Sequence, residues 1–246
     1  RGRRQRRSRK DRQLLGSLRT VKNMPSKTLE TRKLIRFLKT LDQWKNGVKE
    51  PVVGRVKKAT KDPFAVLVAT ILSLRTRDQV TEKVYAVLSK KAKKPEDLAA
   101  MPKAELEKMI HPVGFYKTKA RSLKEMSAVI ISRHKGKVPS DLDTLLKLPG
   151  VGRKTANLVV TEAFGGYGIC VDTHVHRILN WWGYVRTRTP EETEMALRDK
   201  LPREWWREIN GILVAFGQNI CRPVGPRCPE CLLKKECPYP GKKTDL

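Results

Sequence analysis

Residues 148 to 157 read Leu-Pro-Gly-Val-Gly-Arg-Lys-Thr-Ala-Asn, and helical patterns run up to this stretch from both sides. Two helices joined by so short a glycine turn form a helix-hairpin-helix, with Pro149 fixing one backbone angle and Gly150 and Gly152 supplying positive φ and close backbone approach. The second helix, from about Gly152 to Phe164, then opens with unpaired amide groups, an arrangement that receives anions such as phosphate. Lys154 falls in its first turn, where the helix dipole disfavours a cation. A lysine placed there asks for a chemical reason.

The rest of the chain follows the same helical logic. Leu34, Ile35, Leu38 and Leu41 recur at helical spacing within residues 28 to 44, and Pro63 opens an apolar stretch from Phe64 to Leu74 that reads as a buried helix. Asp78 to Leu88 is amphipathic, Pro95 and Pro102 open short helices, and Tyr116 to His134 gives a long one. Ser140 or Asp141 caps a short helix before the hairpin, and Gly165-Gly166 stops the one after it. Asp172 caps Thr173 to Trp182, Pro190 opens the next helix, and Pro202 opens the last long one, ending near Ile220. Alternating strand patterns of useful length are absent, so the chain is expected to be all-α.

Charge narrows the partner. Of 246 residues, 53 are Lys or Arg against 25 Asp or Glu, a net +28 that exceeds the needs of solubility and points to a polyanion, nucleic acid ahead of membrane. Residues 1 to 22 carry ten Arg or Lys against Asp11 alone, which marks 1-29 as a basic flexible N-terminal arm, yet the remainder is basic as well. No run of 18 apolar residues occurs, and the first ten residues lack the apolar stretch of a secretory signal, so neither a membrane span nor secretion is expected.

Cys221, Cys228, Cys231 and Cys237 stand in the spacing C-x6-C-x2-C-x5-C. Four thiols so close, in a chain with no mark of secretion, point to a metal site ahead of two disulfides. Tetrahedral zinc and a 4Fe-4S cluster both accept four thiolates, and the spacing matches neither the zinc ribbons nor the ferredoxin runs, so the donor chemistry leaves both open. Arg222, Arg227, Lys234 and Lys235 interleave the ligands and make the loop a basic finger suited to phosphate. Cys170, between Ile169 and Val171, reads as a small core residue.

Taken together, Leu148-Pro149-Gly150-Val151-Gly152-Arg153-Lys154, Val171-Asp172-Thr173-His174 and the four-cysteine loop closely resemble the endonuclease III family. These are helix-hairpin-helix DNA glycosylases with a 4Fe-4S cluster, and the resemblance runs from about Lys57 to Cys237. It implies iron-sulfur at the four cysteines, where spacing alone did not decide. It also implies two helical domains with a catalytic cleft between them: a six-helix barrel over 56-166 that contains the hairpin, and a cluster-bearing domain built from 30-55 plus 167-246. Lys154 and Asp172 would face each other across that cleft.

By the same resemblance, the protein is a monomer in a DNA-containing compartment (nucleus, mitochondrion or nucleoid). The resemblance implies that it removes oxidised pyrimidines of the thymine glycol type from double-stranded DNA and cleaves at abasic sites. A neutral lysine amine can attack the sugar C1′, expel the base and hold the sugar as a Schiff base, after which β-elimination breaks the strand. A carboxylate at a helix N-terminus stays ionised and stabilises positive charge developing on the sugar, although Asp172 before an amphipathic helix is also an ordinary N-cap. The hairpin residues Leu148, Gly150, Val151, Gly152 and Arg153, together with Lys117, Arg222 and Arg227, are expected to bind DNA. Arg75 and Phe115 lie in the segments expected to fill the gap left by an extruded nucleotide. The family often carries glutamine where this chain has Arg75, and Phe115 fits the core as well as it fits a wedge. Two other functions compete: a mismatch-specific thymine or adenine glycosylase, and a non-catalytic helix-hairpin-helix module, which would leave Lys154 and Asp172 together unexplained.

Overall fold

The computed structural model describes residues 29–47 and 50–239, so the basic arm expected over residues 1-29 lies almost wholly outside the described residues. The described chain is helical with no strand. Its helices are α1 (Leu29–Lys45), α2 (Val52–Thr60), α3 (Pro63–Ser73), α4 (Asp78–Lys91), α5 (Pro95–Ala100), α6 (Lys103–Ile110), α7 (Tyr116–His134), α8 (Leu142–Leu145), α9 (Arg153–Phe164), α10 (Thr173–Trp181), α11 (Pro190–Lys200) and α12 (Glu208–Asn219). No helix among the described residues is long and apolar enough to cross a membrane.

Local signals set most of the boundaries. Asp62 caps α3 by accepting from the Phe64 and Ala65 amides, Pro63 occupies the first helical position, and nine of the helix's eleven residues are buried. α9 ends where Gly165, at φ 64°, donates back to the Thr161 carbonyl and Gly166 donates to that of Val160.

Two cores result. One gathers Leu67, Ile71, Leu106, Leu123, Met126 and Val159 from α3, α6, α7 and α9. The other gathers Phe37, Leu38, Ile178, Leu197, Leu213 and Phe216. The second core thus joins α1, which precedes the first core in sequence, to α10, α11 and α12, which follow it. Leu148 and Val151 of the hairpin belong to the first core, and Val171, next to Asp172, belongs to the second.

Two expectations of helix placement need correction. α2 has no counterpart in the sequence reading, and the expected division between residues 55 and 56 falls inside it. Its Val52, Val53 and Val56 pack on Ala65, Val66 and Ala69 of α3. Between Val52 and Phe164 there are eight helical segments, of which six have eight residues or more. Finally, Pro202 opens only a 3₁₀ turn, Arg203–Trp205, and the last long helix starts at Glu208. The Trp206 indole turns back to donate to the Leu201 carbonyl at 2.9 Å, which bends the chain before α12 begins.

Candidate active site

The hairpin tightens between α8 and α9. Asp141 caps α8 by accepting from the Thr144 amide at 2.8 Å, and the Val151 amide bonds the Leu148 carbonyl at 3.1 Å. Leu148 and Val151 are buried, so what these two residues offer a phosphate is backbone. Gly150 takes φ 77°, and a Cβ there would lie 2.5 Å from that of Ser122 on α7. Gly152 departs from expectation: its φ is −93°, and nothing lies within 4 Å of the place a Cβ would occupy.

The fold therefore requires glycine at 150 and not at 152. Gly150→Ala is expected to cost about 2–4 kcal/mol of stability, from overpacking and the left-handed backbone together. Gly152→Ala should stay within about 0.5 kcal/mol of the parent. Denaturant unfolding of the two variants measures both.

Asp172 divides its carboxylate between two tasks. Oδ1 accepts from the His174 and Val175 amides, both at 2.9 Å, and so caps α10. Oδ2 turns to Lys154, with Nζ at 3.8 Å. The carboxylate is 9% exposed and the lysine side chain 44%, so an anchored acid faces an accessible amine. The segment leading to Asp172 is fastened from both sides. The Asn157 side chain of α9 accepts from the Ile169 amide, and the Asn210 side chain of α12 donates to the Cys170 carbonyl. Cys170 is buried in the core, as expected.

Lys154 and Asp172 line a cleft of about 510 Å³ together with Arg75, Phe115, Gly150 and Arg153. The Arg153 guanidinium is engaged by the buried Glu194, with Nε and Nη2 donating to its two oxygens at 3.0 and 2.7 Å. Arg198 binds the same carboxylate at 2.8 Å. Burial works to raise the Glu194 carboxyl, but hydrogen bonds from Arg153, Arg198 and Asn157 outweigh it and hold the group below the usual range. This acid ties α9 to α11 across the two cores, and the sequence reading missed it. Its signal was a glutamate in the buried stripe of α11, beside Thr193 and Leu197.

Phe115 is 62% exposed, so it belongs to the cleft mouth and not to the core. Arg75 stacks over its ring at 5.5 Å. Lys117 is exposed on the first turn of α7 and does not line the cleft. Neither Arg222 nor Arg227 lines it; both sit on the cysteine loop, where Arg227 pairs with Glu230 at 3.6 Å.

On that loop, Cys221, Cys228, Cys231 and Cys237 line one shared cavity, walled by Trp181, Phe216 and Leu233. Among the described residues, no three His, Cys, Asp or Glu side chains converge tightly enough to hold a single ion. Four thiols are a donor set that tetrahedral zinc and a 4Fe-4S cluster both accept. The loop is joined to α10 through Arg177, which donates to the Cys221 carbonyl at 2.7 Å.

Residues 68–203 match the model of the HhH-GPD superfamily of base excision DNA repair proteins. The chain is 48% identical over 178 residues to Endonuclease III of Thermotoga maritima, an alignment covering 72% of this chain and 84% of that protein. It is 44% identical over 178 residues to Endonuclease III-like protein 1 of Gallus gallus, covering 71% of this chain and 63% of the avian one. Among solved structures, a trapped Endonuclease III–DNA covalent intermediate superposes with a TM-score of 0.76 at 37% identity, covering 84% of this chain and 95% of that chain. A thermostable thymine-DNA glycosylase superposes with a TM-score of 0.74 at 30% identity, covering 87% and 98%. By sequence and by fold, the chain belongs to the endonuclease III family of the HhH-GPD superfamily of base excision DNA repair proteins.

Proposed function

We propose that Lys154 and Asp172 perform the glycosylase and abasic-site lyase chemistry of an enzyme that removes oxidised pyrimidines from double-stranded DNA. The observation that carries this reading is the 3.8 Å approach of Nζ to Oδ2 inside the cleft, at the entrance of the hairpin helix. The neutral amine attacks C1′, the bond from C1′ to the base breaks, and the base departs with the electron pair. Nitrogen sheds its proton, the sugar ring opens, and a Schiff base remains. Loss of a C2′ proton then expels the 3′ phosphate, and water hydrolyses the imine to free Lys154. Oδ2 of Asp172 stabilises the positive charge that develops first on the sugar and then on the iminium.

Backbone amides opening α9 hold the phosphate that places C1′ near the amine. Arg75 and Phe115 fill the gap left by the extruded nucleotide. The enzyme works as a monomer in a DNA-containing compartment. The test is borohydride reduction during incubation with duplex DNA carrying thymine glycol or an abasic site: a covalent protein–DNA adduct is expected, and its absence with both substrates defeats the proposal. Because a thymine-DNA glycosylase shares the fold at 30% identity, an undamaged G·T duplex belongs in the same assay. Faster excision there than at thymine glycol would favour that second function.

The four cysteines would hold a 4Fe-4S cluster, which when bound would pin the basic loop bearing Arg222 and Arg227 against the second core. The purified protein is expected to be brown, with broad absorbance in the blue and about four iron and four sulfide per chain. Colourless protein with one tightly held zinc overturns this assignment.

A further inference from the structure

Lys119, on the first turns of α7, is 6% exposed and has no part in the chemistry above. Its ammonium donates to the Leu72 and Leu74 carbonyls at 2.8 and 2.6 Å and to Thr76 Oγ1 at 3.0 Å. Two of these acceptors lie at the C-terminal end of α3, where the helix dipole favours a cation. Thr76 Oγ1 also accepts from the Gly114 amide at 3.1 Å, so one hydroxyl joins the loop after α3 to the loop before α7. The backbones meet there as well: a Cβ on Gly114 would lie 2.8 Å from the Arg75 carbonyl oxygen.

These are the loops that carry Arg75 and Phe115. Both residues hold left-handed backbone, at φ 51° and 59°, although neither is glycine. Such conformations persist where the surroundings over-determine them. Burial pulls the Lys119 ammonium down to about 8. Three acceptors nevertheless hold an amine where an apolar side chain would be the simpler occupant of the α7 stripe formed with Leu123, Met126 and Ile130.

We propose that Lys119 is a positioning residue, which clamps the two loops into one preset unit so that Arg75 and Phe115 enter the duplex together. This rests on the gap-filling role given to those two side chains above. The clamp acts on extrusion of the nucleotide and not on the attack by Lys154, so substrates that need no gap filled should escape its loss.

The test compares Lys119→Met, Lys119→Arg and Thr76→Val with the parent on two substrates. One is thymine glycol opposite adenine in intact duplex, with 2-aminopurine beside the lesion to report extrusion. The other is an abasic site facing a one-nucleotide gap, which retains duplex flanks but has no opposite base. Lys119→Met is expected to lose roughly 10²-fold in excision from intact duplex, together with the 2-aminopurine signal, and to keep near-parental adduct formation on the gapped substrate. Lys119→Arg should recover part of the loss. Thr76→Val cuts the bridge without emptying the lysine site, and should show the same split if Lys119→Met proves unfolded by circular dichroism. Equal losses on both substrates, or no loss on either, overturn the proposal. Failure of the parent itself to form an adduct on either substrate condemns the Lys154 reading instead, and an adduct on intact duplex alone overturns the claim that the gapped substrate escapes the clamp.

Discussion

Lys154→Ala is expected to abolish the borohydride-trapped adduct and to lower excision by roughly 10⁴-fold or more, since loss of a covalent nucleophile removes the step and not merely an interaction. Stability should barely change. The side chain is 44% exposed and its ion pair to Asp172 spans 3.8 Å. A contact so open to solvent contributes well under about 1 kcal/mol. DNA affinity should fall only modestly, because the amides that open α9 belong to the backbone and the other basic side chains are untouched. Lys154→Arg sharpens the test: it restores the charge and not the nucleophile. If Lys154 serves only to hold phosphate, arginine rescues activity; if it forms the Schiff base, arginine binds and does nothing more. An adduct of undiminished yield in Lys154→Ala would show that another amine attacks the sugar, and the site would have to be sought elsewhere.

How much of this was legible beforehand depended on whether the signal was local. Tyr116 to His134 could be bounded from sequence because its periodicity is long and a turn follows at Lys135 and Gly136, both at positive φ. α2 was lost because Gly54, Arg55 and the lysines at 57 and 58 give a nine-residue segment the composition of a linker. Its Val52, Val53 and Val56 gain meaning only once α3 lies against them.

Lys119 and Glu194 failed for a related reason. Each sits in an apolar stripe where local pattern demands a hydrophobe, and each is stabilised by groups about forty or more residues away, Leu72 for one and Arg153 for the other. Gly152 erred in the opposite direction, since the motif suggested a conformational need that its φ of −93° does not have. The Lys154 and Asp172 signals were each locally ambiguous, a first-turn lysine and an N-cap acid. Only the packing of α9 against the segment before α10 turns them into a pair.

That pairing makes Asp172→Asn the most selective substitution available. The two carboxylate oxygens do separate work, Oδ1 on the His174 and Val175 amides and Oδ2 toward the amine. Asparagine caps helices about as well as aspartate. Its amide oxygen can keep the Oδ1 bonds, which leaves the amide nitrogen turned toward Lys154. Stability is therefore expected to hold, while a neutral amide replaces the negative charge at the place where positive charge develops on the sugar. Excision should fall by roughly 10²–10⁴-fold.

Asp172→Ala loses the same chemistry and the cap as well, and should unfold at lower denaturant by about 1 kcal/mol. The difference between the two variants in stability, set against their similarity in rate, isolates the cap from the catalyst. Asp172→Asn with parental turnover would reduce Asp172 to an N-cap. Asp172→Asn as unstable as Asp172→Ala would mean that the cap requires the charge, and the division of labour between the two oxygens would fall.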